Sequence, residues 1–109
     1  MGATPFVDIW INCPDRATAE KIAEAAVDKR LGACANLWGG VRSVYRWKGA
    51  VERADEVALL LKTRAAHFEA VAALVKSLHP YETPSIVATE LVAIDRAYAD
   101  WLAEETGEA

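Results

Sequence analysis

Two long strand-like segments, residues 33–47 and 51–63, flank the tetrapeptide Trp47-Lys48-Gly49-Ala50 and constrain the fold more than any other feature. The tetrapeptide reads as a tight turn, which makes the pair a hairpin. Each strand then runs to roughly a dozen residues, about twice the usual five or six. Gly39 and Gly40 interrupt the first strand, where paired glycines mark a bulge or bend. Strands that outrun their own sheet leave unpaired N–H and C=O groups and bare apolar surface. Trp38, Val44, Tyr45 and Trp47 all lie on this overlong arm. The expected occupant of that surface is another copy of the chain.

The rest of the chain alternates period. Residues 6–12, FVDIWIN, are rich in β-formers and read as a mostly buried strand, broken by Pro14. Asp15 is a good helix N-cap, with Thr18 three residues on. Ala19, Ile22, Ala23, Ala26, Val27 and Arg30 then share one helical face, and Gly32 is the expected stop. After the hairpin, Phe68, Val71, Ala72, Val75 and Leu78 give a second amphipathic helix. HPYETP closes it, SIVATELVAI reads as a fourth strand, and YADWLAEE as a final short helix. The order β-α-β-β-α-β plus a helix predicts an α+β, ferredoxin-like domain, helices on one face of an antiparallel sheet, spanning residues 1–109.

Composition narrows the function. With 12 Lys and Arg against 16 Asp and Glu, the net charge of −4 supplies no field for a phosphate backbone, and no nucleic-acid partner is expected. The aromatic-and-basic strand motif of RNA-reading domains with this topology is missing. No segment approaches the roughly 20 apolar residues of a membrane span. The start lacks a basic region followed by an apolar stretch, and Phe6 stands where a myristoylation signal beginning at Gly2 needs Ser or Thr. Cys13 and Cys34 form neither a CxxC nor a zinc spacing, so the expected address is the cytoplasm. GxSxG, P-loop, GxGxxG and HExxH patterns are all absent, and no enzymatic activity is expected.

The stretch His79-Pro80-Tyr81-Glu82-Thr83-Pro84 collects chemistry where a helix must end. Pro80 disfavours helical geometry at His79. One reading is structural: an imidazolium at a helix C-terminus is favoured by the helix dipole. The other is metal binding, with His79 offering nitrogen and Glu82 oxygen to copper, zinc or nickel. Cys34, among small apolar residues, fits core packing better than soft-metal capture. His67 reads as a solvated histidine in the first turn of the second helix, and Trp10 as core or near-core. Tyr45 and Trp47 read as subunit-contact residues, since buried edges and bonded N–H or O–H groups are both satisfied there. Arg42, Arg46, Lys48 and Arg53, followed by Glu52, Asp55 and Glu56, read as ion-pair partners between subunits.

Three blocks, CPDRATAEKIAEAAVDKRLGACANL, SVYRWKGAVERADEVALLLKTR and HPYETPSIVA, occur in an order that resembles the CutA family of divalent-cation tolerance proteins. The resemblance runs from about Val7 to Leu102 and ends in an aromatic helix, YADWL. It implies a ferredoxin-like subunit assembled as a homotrimer, with long hairpins reaching across to neighbouring subunits. It also implies a role in tolerance of copper or another divalent metal ion. The trimer architecture is similar to that of the PII signalling proteins, which opens a second reading: a small molecule or protein partner held in clefts between subunits. The copper ligands proposed for the family resemble a cysteine near the end of the first strand and a His-His pair before Pro-Tyr. Ile11 and Leu78 stand at two of those positions here, and only His79 matches. Cys13, two residues beyond Ile11, is the remaining thiol near that end. The expected metal set is therefore His79, Glu82 and Cys13, with Tyr81, Cys34, Tyr45 and Trp47 at the subunit contacts or cleft.

Overall fold

The computed structural model describes residues 4–107, and Gly2 lies outside them. The elements are β1 (Phe6–Cys13), α1 (Arg16–Asp28), β2 (Cys34–Trp47), β3 (Ala50–Arg64), α2 (Phe68–Leu78), β4 (Ile86–Glu90) and α3 (Arg96–Glu105). A single 3-10 turn, Ala65–His67, precedes α2. The four strands form one sheet in the order β2-β3-β1-β4, every pairing antiparallel. This is the ferredoxin-like plan.

Strand alternation builds the core. Val7, Ile9, Ile11 and Cys13 of β1 lie beside Leu59 and Leu61 of β3 and pack against Ile22, Ala23, Ala26, Val71 and Val75 of α1 and α2. Asp15 caps α1 as expected, its carboxylate accepting from the Thr18 N–H at 2.8 Å. The other end departs from expectation. Arg30, not Gly32, takes the left-handed conformation, with φ of 61°. The Arg30 N–H reaches Val27 O at 3.0 Å and the Leu31 N–H reaches Ala26 O at 2.9 Å, a Schellman closure. Gly32 serves a different need. A Cβ there would lie 2.3 Å from Leu61 Cδ1, inside the core.

The hairpin turns on Lys48 and Gly49, both at positive φ (49° and 85°), the arrangement whose twist matches two antiparallel strands. The expected bulge is present, since the β2–β3 register shifts between Trp38 and Val41. β1 accompanies β3 only from Val57 to Arg64, so 50–56 pair with β2 alone. A two-stranded arm of about 20 Å thus leaves the sheet. Val44, Tyr45, Trp47 and Val51 are exposed on it.

Two other expectations are corrected. β4 stops at Glu90 instead of running on to Ile94, because its partner β1 begins at Phe6: past the Val7–Glu90 pair the ladder is reduced to Leu91, whose N–H reaches Phe6 O at 3.2 Å and whose O accepts the Thr4 N–H at 2.9 Å. His67 is half-buried in the 3-10 turn, its Nδ1 3.4 Å from Thr63 Oγ1, because the turn folds it back onto the end of β3.

Candidate functional site

At the end of the sheet where β1 stops and the arm departs, the α2–β4 connection folds beneath the hairpin. Pro80 keeps His79 out of the helix, at φ −89° and ψ 135°, while its N–H still closes α2 on Val75 O at 2.8 Å. The side chain turns inward and only 6% of the residue is exposed. Its Nε2 lies 2.8 Å from Asn12 O, which can only accept, so Nε2 carries the hydrogen. Its Nδ1 accepts the Tyr81 N–H at 3.2 Å. Both ring nitrogens are engaged by backbone, in the neutral Nε2–H tautomer. The ring is a brace between β1 and the connection, not a cation at a helix end.

Tyr81 leans edge-on against that ring, centroids 4.7 Å apart, and its hydroxyl donates to Glu56 Oε2 at 3.2 Å. Ser43 Oγ donates to the other oxygen, Oε1, at 2.5 Å. Glu56 is 7% exposed. Burial, then the Glu56 charge, pushes the Tyr81 phenol above its ordinary range, which keeps it a donor. These groups line a cavity of about 740 Å³ with Tyr45, Trp47 and Glu82 on its sides. That size suits a small molecule. At the mouth, Lys48 Nζ stands 3.5 Å from Glu82 Oε1 and 5.5 Å from the centre of the Trp47 ring.

The structure therefore gathers Tyr45, Trp47, Tyr81 and Glu82 around one cavity, with His79 bracing its floor. Cys13 is close to this end but has no exposed surface. Burial, with Asp15 and Glu56 adding to it, pushes its thiol up to about 11, whereas a metal ligand must be a thiolate. Cys34 sits elsewhere: it pairs with Lys62, whereas Cys13 pairs with Val57, which separates the two thiols by about five residues of strand, or ~17 Å. It is half-buried, not a core residue, and lies within side-chain reach of the α3 phenol of Tyr98. No group of three His, Cys, Asp or Glu side chains among the described residues could hold a metal ion. His79, Glu82 and Cys13 do not present a joint donor set.

Sequence reasoning placed Glu56 among the ion-pair partners between subunits, whereas within the chain its carboxylate meets two hydroxyls. Period-two alternation sets it on the same strand face as Ala58, and this was the available signal for an inward carboxylate. Of the ion pairs expected on the arm, Arg42–Asp55 forms within the chain at 2.9 Å.

Comparison with known proteins places these features. The family model described as CutA1 divalent ion tolerance protein matches residues 7–105. The Thermus thermophilus divalent-cation tolerance protein CutA is 43% identical over 99 residues, covering 91% of this chain and 96% of that protein. The human protein CutA is 36% identical over 97 residues, which cover 89% of this chain and 54% of the longer human one. Against the structure of the periplasmic divalent cation tolerance protein CutA from Archaeoglobus fulgidus, the TM-score is 0.91 at 34% identity, over 94% of this chain and 99% of that one.

Proposed function

The chain belongs to the CutA1 divalent ion tolerance family, and on that premise we propose that it serves divalent-metal tolerance as a homotrimer that binds a small ligand in the cleft under its hairpin arm. The observation that carries this reading is the state of His79. Both nitrogens are spent on backbone partners, while the cavity beside it is lined by aromatic rings and by the buried Glu56. Copper or another divalent ion enters as the stimulus that the tolerance role answers to. A chelate of His79, Glu82 and Cys13 would need one ring bond broken and a buried thiol ionised. The PII-like alternative of the sequence reading thus becomes the preferred one.

The trimer rests on the arm. Its unpaired strand edges and the exposed Val44 and Val51 require a cover, and a second copy offers the same edges in return. Two free thiols fit a reducing cytoplasm, although the Archaeoglobus relative is called periplasmic. Among the described residues no helix is long and apolar enough to cross a membrane.

The test is a Cu(II) titration of chelator-stripped protein by calorimetry, with His79→Gln alongside and the oligomer mass measured in the same buffer. Weak binding that the variant retains supports a cleft-based role. Stoichiometric binding at micromolar or better, lost in the variant, overturns it in favour of a metal site at His79.

A further inference from the structure

Glu56 poses a problem that the fold does not solve internally. The residue is 7% exposed, yet none of the ion pairs among the described residues includes its carboxylate. Buried charges are ordinarily paired, because leaving water without a counter-charge is costly. The two donors it has, Ser43 and Tyr81, are neutral hydroxyls, one on each oxygen. A carboxylate has about four lone-pair directions, so each oxygen can accept a further bond from the cavity side.

The surroundings match the missing charge. Tyr45, Trp47 and Tyr81 bring three aromatic rings to the cavity, and Glu82 adds a second carboxylate. Along β2, Ser43, Tyr45 and Trp47 alternate with Arg42 and Arg46, which places those arginines on the opposite strand face. The cavity lining itself includes no Lys or Arg. Ring faces attract cations through their quadrupole, most strongly when water is excluded. The protein already demonstrates the pairing at the cavity mouth. The Lys48 ammonium sits at once on Glu82 and 5.5 Å from the Trp47 ring centre, as a tethered ammonium ligand would.

We propose that the cleft recognises a small organic cation, a primary alkylammonium compound, with Glu56 as its buried counter-charge, the Tyr45, Trp47 and Tyr81 rings around its hydrocarbon, and Lys48 as an internal competitor at the mouth. This rests on the cleft reading above and specifies the ligand class. A divalent metal ion is a poorer match, since it needs several oxygen or nitrogen donors converging on one point. An anion meets two carboxylates.

The experiment uses the full-length, chelator-stripped chain and three probes of equal length: hexamethylenediamine, hexanediol and adipate. Calorimetry and tryptophan fluorescence follow binding, with oligomer mass measured for each variant. The diamine is expected to bind saturably, and the diol and adipate not to. Glu56→Gln should weaken the diamine about tenfold, and Glu82→Gln, on the exposed rim, by a smaller factor. Lys48→Met should tighten it about two- to threefold by removing the competing ammonium. That sign is informative, because Lys48 would assist an anion and its loss would weaken one. Adipate binding that Lys48→Met weakens, or diol binding equal to that of the diamine, overturns the cation class and leaves the cleft reading standing. Glu56→Gln that changes the oligomer mass without changing diamine affinity makes a second copy's cation the partner, and overturns the proposal. Absence of binding by every probe also overturns it. If His79→Gln abolishes tight Cu(II) binding at the same time, the cleft reading falls too.

Discussion

His79→Ala is the substitution that most directly separates a structural imidazole from a metal ligand. The ring donates from Nε2 to Asn12 O at 2.8 Å and accepts the Tyr81 N–H at 3.2 Å, with 6% of the residue exposed. Removing it leaves a part-buried carbonyl without that donor, at about 1–3 kcal/mol. The Tyr81 amide regains water more readily, and the void left by the ring adds on the order of 1 kcal/mol. About 3 kcal/mol per chain is the expected sum. Unfolding entropy of about 2.1 cal/mol/K per residue gives roughly 0.23 kcal/mol/K for a chain of 109 residues, so Tm should fall by about 13 °C. His79→Gln can still offer an N–H to the carbonyl and should recover about half of that loss. Differential scanning calorimetry at one fixed protein concentration is the appropriate assay, since oligomerisation makes Tm concentration-dependent. A Tm for His79→Ala within about 2 °C of the parent corresponds to less than about 0.5 kcal/mol and would refute the brace assigned to this ring. The same variants measured in excess Cu(II) should show the parent's response to the metal, because no ligand has been removed.

Four further outcomes follow from the packing and the helix cap. Gly32→Ala drives a methyl into Leu61, which is fully buried and cannot retreat, so a loss of about 1–3 kcal/mol is expected in urea denaturation. Hydrogen bonds from the Thr18 backbone and then its side chain hold the Asp15 carboxylate below its ordinary range. With the folded value below the unfolded one, its contribution is present above the unfolded pKa and fades as pH falls through the folded value. Asp15→Asn, which keeps a capping oxygen, should flatten that acid limb in stability measured between about pH 5 and pH 2. Cys13 behaves oppositely: from about 9.0 its thiol is pushed up to about 11, so stability should decline as pH rises through that interval, and Cys13→Ala should remove the decline. Iodoacetamide with mass spectrometry should likewise leave Cys13 unmodified until denaturant is added.

Some of this molecule was legible because its causes are local. Asp15 with Thr18 announces a helix start, since a side-chain oxygen and an N–H three residues away meet by backbone geometry alone. Lys48-Gly49 announces the hairpin and Gly39-Gly40 the bulge, for each reflects what a few consecutive φ angles can do. Blocks spread along the chain carried the family resemblance. The errors arose where two distant segments had to meet. Gly32 has the look of a helix stop, yet its smallness answers to Leu61 across the core, and Arg30 takes the left-handed position. The length of β4 follows from where β1 begins.

The same division runs through the site. The sequence by itself determined the α+β order of elements, the overlong arm and the rigid Pro80–Pro84 connection, because periodicity and proline stereochemistry act within a few residues. Only the tertiary structure decided that His79 spends both nitrogens on Asn12 and Tyr81, and that Glu56 turns from the arm into a cavity to meet Ser43 and Tyr81. Whether a side chain is ligand, brace or counter-charge depends on which partners reach it and on how much water it has lost. Both are set where separate stretches of chain converge.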